Sequence, residues 1–107
     1  MTNTRPQSEV YREAAIHWAD LDGAARMLEE CKGAVLAQRM LSLGDIPVSK
    51  AEMNVKASDF WADYLRKMVI AKTEANKARA VVEFERMKFF ERNSNAANER
   101  LEMRMTQ

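Results

Sequence analysis

The sequence predicts an all-α fold: an antiparallel, coiled-coil-like helical hairpin with a long second helix, associating into a helical bundle. Three observations predict it. Counting in threes and fours from Ala57 gives Trp61, Tyr64, Met68, Ala71, Ala75, Ala78 and Val82, followed at sevens by Phe89, Ala96 and Met103, the repeat of a helix packed along another helix. Tyr11, Ala14, Trp18, Leu21, Ala25, Leu28 and Val35 form a second stripe of the same kind. Between the two stands Gly44-Asp45-Ile46-Pro47, a helix-ending glycine closely followed by proline.

Length and composition bound the rest. A chain of 107 residues is a single helical domain, and three Gly and two Pro among 47% hydrophobic and 31% charged residues suit helices far better than a disordered chain. The net charge of +1 draws the protein to neither nucleic acid nor membrane as a whole. Residues 1–48 carry five Lys/Arg against seven Asp/Glu, and 49–107 carry twelve against nine, so the halves are weakly complementary. Cys31 is the only cysteine, which excludes an internal disulfide and a cysteine-based metal site. The first residues, Met-Thr-Asn-Thr-Arg-Pro-Gln-Ser, lack the apolar core of a secretory signal, and no apolar run approaches the ~20 residues of a membrane span. A cytoplasmic protein without membrane contact is the expectation.

Residues 1–7 read as a loose tail, with Ser8 as helix cap and Glu9 in the first turn, where the helix dipole favours a carboxylate. The first helix then spans 8–43. Its stripe slips at Lys32, after which Cys31, Leu36, Met40 and Leu43 carry an apolar face onward; Gly23 and Gly33 mark a kink or the close approach of a partner. A turn occupies 44–57, with a short helix from Ser49. Ser49 and Glu52 have capping-box spacing there, and Val48 and Met53 the spacing of a hydrophobic staple. Asn54 and Ser58-Asp59 leave room for a restart, from which the long helix runs 58–92. Asn93-Ser94-Asn95 has poor helix propensity, so 93–107 is either an overhang or a separate tail helix.

With Trp61, Met68, Ala75, Val82 and Phe89 in the a positions of a heptad, Lys72, Arg79 and Arg86 fall in its e positions. Asp22 and Glu29 hold e positions of the first stripe, so one antiparallel register sets them against Arg79 and Lys72. Such pairs contribute about 0–1 kcal/mol each and act on orientation; the apolar seam supplies stability at ~25 cal/mol per Å² buried. At ~1.5 Å per residue the first helix is about 54 Å long and the second up to about 80 Å. The excess leaves Phe89, Phe90, Ala96, Ala97, Leu101, Met103 and Met105 without cover, and two helices alone also leave Phe60, Leu65, Val69, Val81, Phe84 and Met87 exposed. Apolar surface on that scale marks an interface, and a homodimer forming a four-helix bundle is the simplest closed arrangement. The expected partner interface is Phe84, Met87, Phe89, Phe90, Ala97, Leu101, Met103 and Met105.

Little in the chain suggests chemistry. His17, the only histidine, has Glu13 four residues earlier on the same helix face, but the Glu-x-x-His spacing of carboxylate-bridged metal bundles is missing, and His17 reads as a seam-edge residue. Cys31 has no second thiol or activating histidine and reads as a small packed hydrophobe. The three glycines lack phosphate-loop spacing. The expectation is a non-enzymatic protein without cofactor or metal. The basic run of Arg66, Lys67, Lys72, Lys77, Arg79, Arg86, Lys88 and Arg92, with Phe84, Phe89 and Phe90 interleaved, is the nucleic-acid candidate. Its contact residues would be Lys72, Lys77, Arg79, Arg86, Lys88 and Arg92, although Glu74, Glu83, Glu85 and Glu91 reduce the net charge of 66–92 to +4. A solvated coiled-coil flank accounts for the same residues. The eight methionines suit an adaptable protein-binding surface as well as a core.

Val10-Tyr11-Arg12-Glu13, Trp18 and the tail Ala96-Ala97-Asn98-Glu99-Arg100-Leu101-Glu102-Met103-Arg104, set around a middle break, give a pattern that resembles short helical proteins encoded by tailed bacteriophages and prophages. Members of that class often sit among replication and recombination genes, so the resemblance implies an accessory of single-strand annealing or DNA handling, with no residue-level role to carry over. The function expected is self-association and protein–protein contact as a phage accessory factor. A nucleic-acid-binding accessory using the 66–92 face and a small inhibitor of a host protein are the alternatives.

Overall fold

The computed structural model describes residues 5–106, so the expected loose tail lies in part, at 1–4, outside the described residues. The fold is an all-α helical hairpin of α1 (Gln7–Ser42), α2 (Val48–Lys56) and α3 (Asp59–Met105), with no strand among the described residues. Two compact units are distinguishable: Asp20–Ala75, and Met1–Ala19 together with Asn76–Gln107.

In the unit Asp20–Ala75 the hairpin is closed by three α1–α3 contacts in antiparallel order. The Tyr64 hydroxyl donates to the Leu28 carbonyl at 2.5 Å. Lys32 Nζ stands 5.9 Å from the Trp61 ring centroid, and the Arg39 guanidinium lies 3.6 Å over Phe60. Trp61, buried to 4% exposure, stacks on Tyr64 at 5.7 Å and 9°. Lys32, where the apolar run slips, therefore belongs to the seam: its stem is half-buried and its cation sits by an aromatic face. The expected pairing of Glu29 with Lys72 is replaced by this aromatic register, because the tyrosine and tryptophan bring far more area to the seam than a solvated ion pair gains. Asp22 instead pairs within α1, with Arg26 Nε at 2.9 Å.

The turn follows sequence chemistry at one end and departs from it at the other. Gly44 has φ +87° and its N–H donates to the Leu41 carbonyl, the left-handed helix end for which glycine is suited. The expected cap at Ser49 is overturned. Pro47 precedes α2 with φ −56° and ψ 141°, its carbonyl accepts the Ala51 N–H, and no side chain caps the helix. Ser49 is thus already inside the first turn. Glu52 pairs with Lys56 at 2.7 Å, and Val48 and Met53 are exposed, so no staple forms. The face α2 buries is Ala51 and Val55. The working cap is Ser58, whose hydroxyl donates to the Val55 carbonyl and accepts the Trp61 N–H at 3.3 Å, joining the end of α2 to the start of α3.

In the other unit, α1 starts one residue before the expected Ser8. The Pro6 carbonyl accepts the N–H groups of Glu9 and Val10, and Gln7 is buried. Both α1 and α2 therefore begin at a proline carbonyl, a residue whose fixed φ suits a helix start. Ala78 and Val82 are the buried apolar residues of this unit, and Tyr11 meets Phe89 at 5.9 Å. α3 continues unbroken through Asn93-Ser94-Asn95, which excludes a separate tail helix. Neither Gly23 nor Gly33 interrupts α1, and a Cβ at either would meet nothing within 4 Å. Cys31, expected to be packed, is exposed, because α1 turns its Leu28, Lys32 and Val35 face inward instead.

Candidate partner interface

The apolar stripe of α3 changes face after Phe89. Trp61, Tyr64, Met68, Ala71 and Ala75 in one unit, and Ala78, Val82 and Phe89 in the other, are buried or half-buried. Successive residues on a helix point about 100° apart, so the step from Phe89 to Phe90 moves the next large side chain off the seam. Phe90 is 55% exposed. On its side of the helix lie Met87, Ala97, Leu101 and Met105, spaced by threes, fours and sevens and all exposed. From Glu91 to Thr106 every residue is exposed.

The structure therefore divides the expected interface set. Phe84, Met87, Phe90, Ala97, Leu101, Met103 and Met105 are exposed. Phe89, expected beyond the reach of the first helix, is half-buried because Tyr11 covers it. Met103 and Ala96 prolong the seam side, whereas Phe84 lies on the far flank of the Phe90 stripe.

The basic candidates do not gather on one face. Arg79 and Arg86, seven apart, share one flank of α3; Lys77 and Lys88, eleven apart, lie on the opposite flank, and Arg92 falls between that flank and the seam. Carboxylates and rings of the same helix engage Arg86 and Lys88 among them. Arg86 lies 3.6 Å from Glu83 and 5.6 Å from the Phe90 centroid; Lys88 lies 3.7 Å from Glu85 and 5.2 Å from the Phe84 centroid. Lys72, in the other unit, is exposed, and Arg66 pairs with Asp63 at 2.5 Å. Of the remaining candidates, His17 is exposed and Glu13 is engaged by Arg5.

One polar contact of the site escaped sequence reasoning. Glu85 occupies a seam position, and Gln7 Nε2 donates to its carbonyl at 3.3 Å and to its Oε2 at 2.5 Å. Glu85 is legible as an interruption of the apolar seam, but its partner falls in a stretch that reads as tail.

A shallow depression near the end of α3 is lined by Glu99, Glu102, Met103 and Thr106, all from one helix, and offers no opposing wall for a small molecule. Among the described residues no helix is long and apolar enough to cross a membrane. No family model, curated protein or solved structure matches the chain.

Proposed function

We propose that the protein is a non-enzymatic, self-associating interaction protein, a helical accessory factor whose partner-binding surface is the outer face of α3 from Phe84 to Met105. The observation that carries this reading is the apolar side chains left in water there: Met87 at 69%, Leu101 at 55% and Met105 at 78% exposure, beside Phe84 and Phe90. A standard interface requires about 800 Å² from each partner. Sedimentation velocity across micromolar concentrations tests the proposal. A mass that rises toward the dimer supports it, and a concentration-independent monomer overturns it.

Nucleic-acid binding is the weaker reading, since Glu83 and Glu85 already neutralise Arg86 and Lys88 and the other cations are divided between flanks. Titration of labelled single-stranded DNA at low and moderate salt decides it: phosphate-dominated binding must fall steeply with salt.

A further inference from the structure

We infer that the unit joining Met1–Ala19 to Asn76–Gln107 binds the sugar–phosphate backbone of a nucleic acid, through a stripe of Arg12, Arg79, Arg86, Arg100 and Arg104. This second activity uses a different face from the apolar one and does not rest on self-association. The cations of 66–92 are divided between flanks, but the flank that holds Arg79 and Arg86 continues beyond Arg92. Asn93 and Arg100 follow Arg86 at sevens, and Arg104 comes one turn later. A straight helix drifts about 20° per heptad, so these α3 positions stay within an arc of about 60° and span about 38 Å. The drift carries Arg100 toward the line of the seam at a level where the whole helix surface is exposed. In an antiparallel hairpin the matching flank of α1 is that of Ser8 and Ala15, and Arg12, one turn after Ser8, stands exposed at its outer edge.

Charge is segregated around this stripe. Glu91, Glu99 and Glu102 fall across α3 from it. On α1, Glu9 lies on the outward face and Glu13 on the opposite flank, where Arg5 engages it. The carboxylate at the rim is Glu83, 3.6 Å from Arg86. Among the described residues no carboxylate pairs with Arg12, Arg79 or Arg104, and Arg100 donates through Nε to the Ala96 carbonyl of its own helix at 3.3 Å. A protein partner is held by large apolar anchors desolvated at the centre of the interface. The stripe has none along its length: Ala15, Asn93 and Ala97 lie among the arginines, and Phe90 stands at the edge. Cations in water with small neighbours instead suit a phosphate backbone, bound by counterion release across a wet interface. Each guanidinium offers a planar fork that takes two phosphate oxygens.

Fluorescence anisotropy of the full-length protein with labelled single-stranded and duplex DNA, each in unrelated sequences and across a range of salt, tests the inference. Binding to either form, indifferent to sequence and with a log–log salt slope of about −3 to −4.5, is the result expected of four or five phosphate contacts. Arg79→Gln combined with Arg104→Gln should weaken binding at low salt by about fivefold or more and flatten the slope by about 1 to 2. Lys77→Gln combined with Lys88→Gln removes the same charge away from the stripe and should change affinity by less than about twofold. Absence of binding at low salt overturns the inference. An equal loss in the two double variants also overturns it, since the protein then responds to net charge alone. Poly-glutamate that competes as well as DNA overturns it in favour of an acidic protein partner. Sedimentation of the same samples separates this activity from self-association: DNA binding by a monomer supports the stripe and overturns the dimer, and a dimer without DNA binding does the reverse.

Discussion

Gln7 and Glu85 form a part-buried polar contact between the start of α1 and the seam of α3. Gln7 donates both to the Glu85 backbone carbonyl and to its carboxylate, and among the described residues Gln7 is the buried polar side chain. An apolar seam of alanines tolerates sliding, because one small side chain fits as well as the next. A hydrogen-bonded polar pair has a single matching register and acts as a pin.

Gln7→Ala should therefore destabilise by about 1–2 kcal/mol, the cost of a lost hydrogen bond to a charged group with its acceptor left partly desolvated. Chemical denaturation of Gln7→Ala, Glu85→Ala and the double variant should give a coupling energy of about 0.5–1.5 kcal/mol. Strictly additive effects would show that the pair does not act as a unit.

The two candidate caps separate cleanly. Ser58→Ala should cost about 1 kcal/mol because it removes the acceptor for the Trp61 N–H and the donor to Val55. Ser49→Ala should fall within about 0.5 kcal/mol of the parent, as for any exposed position without a partner. Thermal unfolding of the two variants side by side is sufficient, and equal losses would restore the capping box at Ser49.

The glycines carry opposite expectations. Gly23 and Gly33 lie inside α1 with open space where a Cβ would stand, so alanine at either should stabilise by about 0.5–1 kcal/mol. Gly44, at φ +87°, should lose about 1–2 kcal/mol on the same substitution. Unfolding midpoints moving the same way for all three would contradict the helix boundaries.

Trp61 is the largest side chain in a thin core and holds contacts with both Tyr64 and Lys32. Trp61→Ala should remove about 3–5 kcal/mol, a large part of the stability of so small a domain, while Tyr64→Phe, which loses only the bond to Leu28, should remove about 0.5–1.5 kcal/mol. Far-ultraviolet circular dichroism against denaturant measures both.

These contrasts also show what a sequence of this kind reveals. Both heptad stripes were legible: every member from Trp61 to Val82 and from Tyr11 to Val35 is buried or half-buried, because hydrophobic periodicity is a direct image of the buried face. Gly44 was legible for a similar reason, since its backbone conformation excludes most other residues. Ser49 and Ser58 were not distinguishable by spacing, because Pro47 starts α2 through its carbonyl alone and proline's N-terminal role has no capping signature. Lys32 and Gln7 were misplaced by polarity, since a long stem or a satisfied amide can occupy a seam that composition assigns to apolar residues. Glu29 and Lys72 did not pair because a flank charge pattern permits a register without enforcing it. Asn93-Ser94-Asn95 stays helical because the unfavourable propensities of three residues are small against the cooperativity of a helix already under way on both sides.

The exposure of α3 from Glu91 to Met105 gives that segment an unusual position. Its backbone order rests on its own hydrogen bonds, and a helical stretch of about 15 residues is marginal in water without tertiary support. Amide protons there should exchange with solvent fastest of any in the described helices, and slow markedly once the segment is covered. The tail therefore serves as a built-in gauge of its own occupancy: hydrogen-exchange protection at Leu101 or Met103, followed against protein concentration, reports how much of the surface is engaged without any label or substitution.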